Sequence, residues 1–306
     1  MSASQTMKKK RDFLKLGDFS RDELLRLLDR ATELKRLRRE GTSPRTLTAK
    51  TVALVFEKAS TRTRLSFEAA VSELGGHPMN VDTQTSQMSR GEPLDDTARV
   101  VSRYAHAILF RTFSSERLHT FANASTSPVI NGLSDDAHPI QLLADVQTLR
   151  EHFGSVEGRL VSFVGDGSSN MARSFLEAAS LFGFKLRLVC PEAFSPPAAE
   201  VDAAFTTLER DPKGAAHGAD VVVTDVWTSM GQEKEAAERL RAFAGFTVDA
   251  AMMRTAKPEA VVLHCLPAHR GEEITAEVLL GPQSLVWDEA ENRMHTAKAL
   301  LEALIG

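Results

Sequence analysis

Strand-like and helix-like stretches alternate along most of this chain, and that alternation limits its fold more than any other feature. Thr51–Phe56 is a Val- and Leu-rich run, and a helical pattern follows it from Thr61 to Leu74, stopped by Gly75-Gly76. Leu160–Val164 leads in the same way into Asn170–Phe182. His106–Phe110, Val129–Ile130, Leu186–Val189, Asp220–Thr224 and Ala260–Leu263 read as further strands. Pro139–Phe153 reads as a helix with proline in its first turn and Gly154 after its end. A strand that re-enters a sheet after a helix runs parallel to its predecessor, and the helices cover the sheet. Ahead of these units, Ser20 and Glu23 form a capping box for a helix whose Leu24, Leu27, Leu28, Leu34 and Leu37 make an apolar stripe. Gly41 and Pro44 end it, and a last helix spans about Asn292 to Leu304.

At 306 residues the chain is long enough for about two domains. The units break near Gly154, so the expected class is α/β, with two doubly wound parallel-sheet domains. Hydrophobic residues at 42% and charged residues at 25% exclude disorder and low-complexity assemblies. A net charge of -4 provides no global basic field, which argues against nucleic acid as a partner. No apolar run is long enough to span a membrane. The basic patch Lys8–Arg11 lacks the apolar stretch of a signal peptide and reads as a solvated tail. With two cysteines, Cys190 and Cys265, a disulfide framework is not expected, and the cytoplasm is the default compartment.

The segment Phe56-Glu57-Lys58-Ala59-Ser60-Thr61-Arg62-Thr63-Arg64 places three hydroxyls and two guanidiniums where a strand ends and a helix begins. Ligands of parallel α/β folds bind at that end, where helix amides favour anions and Arg forms bidentate clamps. A dianion site and a capped helix with surface arginines both fit. Arg62, Arg64 and Arg111 together would suit one small dianion. His138-Pro139-Ile140-Gln141 puts His138 at a helix N-cap, where a neutral imidazole is favoured over a charged one. Gly165-Asp166-Gly167-Ser168-Ser169-Asn170 suggests either a tight turn into a helix or, superficially, a dinucleotide loop without its third glycine. Asp225-Val226-Trp227-Thr228-Ser229-Met230-Gly231 reads as a structural loop or as a grip for an amino-acid head group. In His264-Cys265-Leu266-Pro267, Cys265 is a packing residue, a thiol nucleophile or a zinc ligand, the last poorly supported without a second nearby cysteine.

Taken in this order, the motifs resemble the aspartate/ornithine carbamoyltransferase family over nearly the whole chain, from about Phe13 to Leu304. Ser60–Arg64 and His138–Gln141 are similar to its two carbamoyl-phosphate motifs. The Asp225–Gly231 loop and His264–Pro267 resemble its ornithine-type rather than its aspartate-type members. The resemblance implies that Ser60, Thr61, Arg62 and Thr63 hold phosphate, and that Arg111, His138 and Gln141 hold the carbamoyl end. Gln87 would reach the phosphate site of a neighbouring subunit in a homotrimer. Asn170, Asp225, Ser229 and Met230 would hold ornithine's α-groups. Cys265 and Leu266 would line its side-chain amine beside carbamoyl phosphate, which Arg293 approaches from the second domain. Arg111, His138, Cys265 and Asp225 are then nearest the chemistry. Residues 1–147 with the returning C-terminal helix 290–306 would bind carbamoyl phosphate, and 148–289 ornithine.

The implied reaction moves the carbamoyl group to the δ-amine of L-ornithine, giving L-citrulline and phosphate, with no metal, cofactor or covalent enzyme intermediate. The amine must attack as the neutral form, which desolvation beside Cys265 favours. Donors fixed at the carbamoyl oxygen stabilise the tetrahedral intermediate by ~3–4 kcal/mol each. Putrescine or an N-acylornithine is the near alternative acceptor, and a nucleotide-binding dehydrogenase the alternative of another class. Two departures from the family pattern stand out. The stretch from Cys190 to Asp220 is shorter than usual, which puts a helix of the second domain in doubt. Ser169-Asn170 stands where paired asparagines are usual, with Asn170 taken as the ligand.

Overall fold

The computed structural model describes residues 10–228 and 233–306. The first half runs α1 (Arg21–Arg39), β1 (Thr51–Phe56), α2 (Thr61–Glu73), β2 (His77–Asp82), α3 (Leu94–Tyr104), β3 (Ala107–Arg111), α4 (Ser115–Ala124), β4 (Val129–Leu133) and α5 (Pro139–Phe153). The second runs β5 (Leu160–Val164), α6 (Asn170–Phe182), β6 (Lys185–Val189), β7 (Thr206–Glu209), β8 (Val221–Thr224), α7 (Ala236–Ala242), α8 (Ala250–Met253), β9 (Val261–His264), α9 (Ala276–Leu279) and α10 (Val286–Ile305). Two sheets result, ordered β2-β1-β3-β4 and β7-β6-β5-β8-β9, with every named pairing parallel. The expected α/β class with two parallel sheets is what forms.

Apart from the β2 and β7 edges, the strands are largely buried on both faces, and their alternation divides the cores. Val52 and Leu54 of β1 face the core shared with α1, α2, α5 and α10, whereas Ala53 and Val55 face α3 and α4. In the second sheet Val161, Phe163, Val221 and Val223 pack towards α6, and Val164, Val222 and Val262 towards Trp227, Phe243 and Phe246. Phe175 of α6 sits between Phe163 and Phe184 at 1% exposure. Phe175→Ala is therefore expected to lower the unfolding free energy by about 3–5 kcal/mol, read from urea denaturation.

Several elements had no strong local signal. β2 is an edge strand that carries Pro78 and half-exposed residues, so it lacks the apolar run of β1. β7 is the opposite kind of edge, four residues long. α10 begins at Val286, earlier than the expected Asn292; Leu285 before it makes no side-chain cap, and its amide is fixed by the Val262 carbonyl at 3.0 Å. α10 returns to the first domain and packs on α1, α2 and α5. That contact is rich in buried charge: Lys35 meets Glu151 and Asn292, each at 2.8 Å, and Lys298 meets Glu73. Between Cys190 and Asp220 there are short 3-10 turns and β7 but no α-helix, in keeping with the short stretch read from sequence.

Candidate active site

Sheet order decides where a ligand can sit. In the first sheet the chain leaves β1 for the β2 edge and returns on the other side as β3; in the second, β5 and β8 diverge in the same way. At such switch points the strands' carboxyl ends open a crevice. Ser60–Arg64 follow β1, Arg111 ends β3, Asn170 follows β5, Asp225 follows β8 and Cys265 follows β9. The predicted residues thus share the same kind of position in two sheets.

The first half of the site is built from cations. Ser60 is the N-cap of α2, yet its side chain makes no capping bond, and Thr61 beside it is exposed. The hydroxyl and the first-turn amides therefore remain for an anion. Arg62 donates from Nη2 to the Leu266 carbonyl at 2.6 Å, which ties the two half-sites together, while its buried Nε has no partner among the described residues. Among the described residues Arg111 donates only a long bond, 3.3 Å, to the Gly132 carbonyl, and its Nε is likewise unpartnered there. A side chain at Gly132 would meet Arg111 Cβ and Leu109 Cδ1 at 3.2 Å each, so the glycine is needed for this approach. Arg293 reaches in from α10, with Nη1 to Gln141 Oε1 at 2.7 Å and Nη2 to Thr63 Oγ1 at 2.5 Å.

These guanidiniums repel one another. Burial and then Arg293 lower Arg111 to about 10, and burial lowers Arg293 to about 10 with Arg62 adding to it. His138, the N-cap of α5, is pushed well below the usual imidazole range by burial first and then by Arg293, Arg111 and Arg62. It is neutral at pH 7, its Nδ1 is buried without a partner among the described residues, and its main-chain amide is fixed by Ser174 Oγ at 2.9 Å. A pocket of uncompensated cations beside a neutral imidazole demands a small dianion. Arg64 does not belong to it: the residue is exposed and pairs with Glu68 at 3.0 Å, and Arg293 takes the place expected for it.

The second half-site is neutral or acidic. Asp225, 9% exposed, accepts from its neighbour Val226 N at 2.8 Å and from Cys265 Sγ at 3.1 Å. Burial raises both groups, and Asp225 raises Cys265 further, so the thiol stays protonated and is no nucleophile. Leu266 has φ +57 and donates its amide to His264 Nδ1 at 2.9 Å, which leaves the other ring nitrogen to face Glu273 Oε1 at 3.0 Å. Asn170 starts α6 and donates from Nδ2 to the Ser134 carbonyl at 3.0 Å, across to the first domain. Ser229 and Met230 lie outside the described residues. The Gly165–Gly167 turn is filled by protein: a side chain at Gly167 would meet Cys190 Sγ at 2.8 Å and the Phe194 carbonyl at 2.9 Å. Asp166 is held there by Arg239 at 2.7 Å, so the turn offers no pyrophosphate cradle.

Gln87 opens an exposed 3-10 turn, Gln87–Arg90, and no hydrogen bond joins it to the arginine cluster among the described residues. Sequence reasoning missed a buried polar group behind the site. Gln141 Nε2 donates to Asp145 Oδ1 at 2.8 Å and to Glu289 Oε1 at 2.7 Å. Burial raises both carboxyls, Asp145 to about 7 and Glu289 well above the carboxylate range, so Glu289 carries a proton. The available signal was spacing: Asp145 is four residues after Gln141 and Glu289 four before Arg293, each pair on one helix face.

An anion cradle in one parallel-sheet domain facing an acid-and-thiol wall in the next defines the class. The chain belongs to the aspartate/ornithine carbamoyltransferase family: the carbamoyl-P binding domain matches residues 11–151 and the Asp/Orn binding domain residues 157–304. Its similar proteins are ornithine carbamoyltransferases. That of Hydrogenovibrio crunogenus is 51% identical over 295 residues, 96% of this chain and 97% of that protein. The anabolic enzyme of Pseudomonas aeruginosa is also 51% identical, over 96% of this chain and 97% of its own. The crystal structure of the Burkholderia thailandensis ornithine carbamoyltransferase matches with a TM-score of 0.88 at 45% identity, covering 96% of this chain and 98% of that one. The Pyrococcus furiosus structure matches with a TM-score of 0.91 at 44% identity, covering 96% of each chain.

Proposed function

We propose that this chain transfers the carbamoyl group of carbamoyl phosphate to the δ-amine of L-ornithine, releasing L-citrulline and phosphate in an anabolic, arginine-forming role. The observation that carries this reading is the set of guanidiniums with N–H groups unpaired among the described residues around a neutral His138, opposite the Asp225–Cys265 pair. In this reading Ser60, Thr61, Arg62 and Thr63 hold the phosphate, and Arg111 and His138 face the carbamoyl oxygen, with Gln141 and Arg293 behind them. Developing negative charge on that oxygen meets donors already in place. Asp225 holds ornithine's α-ammonium, Asn170, Ser229 and Met230 complete the grip, and Cys265 with Leu266 borders the reacting amine. The low-dielectric wall favours the neutral amine, and alignment between two half-sites supplies much of the rate.

The same reading divides the chain into a carbamoyl-phosphate domain, 1–147 with 290–306, and an ornithine domain, 148–289. It places the protein in the cytoplasm as a homotrimer, in which the exposed Gln87 enters a neighbour's site. An acceptor panel tests it. With carbamoyl phosphate saturating, ornithine is expected to exceed putrescine, N-acetylornithine and aspartate in kcat/KM by about 10²-fold or more. A better rate with any of the other three would overturn the assignment.

A further inference from the structure

Glu289 is 1% exposed, and its two oxygens serve the two half-sites separately. Oε1 accepts from Gln141 Nε2 at 2.7 Å. Oε2 accepts from the main-chain amide of His264 at 2.9 Å, the residue before Cys265. Gln141 thereby acquires a fixed sense. Its NH₂ is shared between Asp145 and Glu289, so its carbonyl oxygen is the group that receives Arg293 Nη1 at 2.7 Å. Arg293 in turn reaches Thr63 in the first turn of α2. An unbroken line of hydrogen bonds runs from the β9 end through Glu289, Gln141 and Arg293 to the anion cradle.

A carboxyl group is an expensive way to fill a core, since an apolar residue of the same volume is often as stable or more so. Here it lies against a second carboxyl, Asp145, which raises it further beyond the effect of burial. A buried polar group of this kind fixes one arrangement among several of similar energy when all its partners are satisfied.

We propose that Glu289 is a positioning residue that sets the register between the two half-sites, holding the Gln141–Arg293 pair with one oxygen and the His264–Cys265 main chain with the other. Glu289 touches neither substrate. It acts through Gln141 and through the β9 end, so its effect falls on alignment rather than on the binding of either substrate alone. This inference rests on the carbamoyl-transfer reading above.

The test uses the full-length protein with Glu289→Leu, Glu289→Ala, Glu289→Gln, Gln141→Ala and the double variant Glu289→Leu/Gln141→Ala. Leu fills the volume and removes the hydrogen bonds. We expect kcat for citrulline formation to fall on the order of 10²-fold in Glu289→Leu, as for a misplacement of about 1 Å, with each KM moving only a few-fold. Glu289→Gln keeps an oxygen for the His264 amide but turns its NH₂ towards the NH₂ of Gln141, so it loses the Gln141 bond alone and should fall between wild type and Glu289→Leu. The double variant should lose clearly less than the product of the two single losses, because Glu289 and Gln141 share one leg of the line while Glu289 alone carries the other. Unchanged kcat in Glu289→Leu, equal damage in the Leu and Gln variants, or additive losses in the double variant would overturn the proposal. So would failure of both the Leu and Ala variants to fold, which would make Glu289 a structural group. A wild type that forms no citrulline would overturn the reaction itself, whereas an active wild type whose Leu variant keeps its kcat overturns only the role of Glu289.

Discussion

Replacing Arg111 by methionine is expected to lower kcat/KM for carbamoyl phosphate by about 10³-fold while leaving the unliganded protein at least as stable as before. The two halves of this expectation share one cause. Among the described residues Arg111, at the end of β3, makes a single long bond to the Gly132 carbonyl and has a buried Nε without a partner, and burial with Arg293 lowers it to about 10. It is still charged at pH 7, so the empty site holds a cation whose desolvation is not offset. Methionine removes that cation at similar length, and exchanges of this kind are neutral or stabilising. Carbamoyl phosphate supplies the missing charge, so its removal from the reaction is severe: one lost donor at a developing oxyanion costs about 10²–10³-fold, and Arg111 is also a partner for the ground-state dianion. Lysine would not restore it, lacking the planar fork. Thermal melts with and without carbamoyl phosphate separate the two effects. Wild type should gain about 2.7 kcal/mol at a ligand concentration of 100 Kd, and Arg111→Met clearly less at the same concentration, about 1.4 kcal/mol for a tenfold weaker ground state. A variant that melts well below the unliganded wild type, or that loses less than tenfold in kcat/KM, would show Arg111 to be a structural residue.

What could be read from the sequence followed the length scale of each signal. Strand–helix junctions are local, so Ser60–Thr63, His138 and Cys265 were placed by the residues around them. Arg62 and Arg64 look equivalent on paper, but residues two apart on a helix point to different sides. Arg62 therefore enters the crevice while Arg64 meets Glu68 on the surface of α2. Arg293 needed the family resemblance, because only the return of α10 brings it to Thr63 and Gln141. The edge strands were missed for the opposite reason: β2 and β7 are half-exposed and carry polar residues or proline, so hydrophobic periodicity does not mark them. Asp145 and Glu289 were invisible as chemistry because acidic residues on helices ordinarily face water. Only the packing of α10 on α5 turns them inward, and their four-residue spacing from Gln141 and Arg293 becomes informative once that contact is known.

With carbamoyl phosphate saturating, kcat/KM for ornithine is expected to rise on the order of tenfold per pH unit between about pH 6 and 9, and that slope belongs to the substrate. Ornithine's δ-amine titrates near lysine's value of about 10.4, and only its neutral form attacks. Two of the enzyme groups beside it, His138 and Cys265, keep one form throughout this window. His138 is neutral throughout, because burial and the surrounding arginines hold it well below the imidazole range. Cys265 remains a thiol, because burial and Asp225 raise it well above the usual thiol range. Asp225 acts on the acid side. Burial raises it, and its ionised form is the one that holds an ammonium group. As pH falls through that raised value the carboxylate is lost, so the profile steepens at its acid end. Asp225→Asn should abolish the steepening and lower kcat/KM for ornithine by about 10²-fold at neutral pH, the loss of a charge-assisted hydrogen bond, with little change in KM for carbamoyl phosphate. Cys265→Ser should keep the whole shape of the profile. If instead the wild-type slope broke near pH 8 and the break vanished in Cys265→Ser, a thiolate would be taking part in the reaction, and the neutral wall assigned here to Cys265 would be wrong.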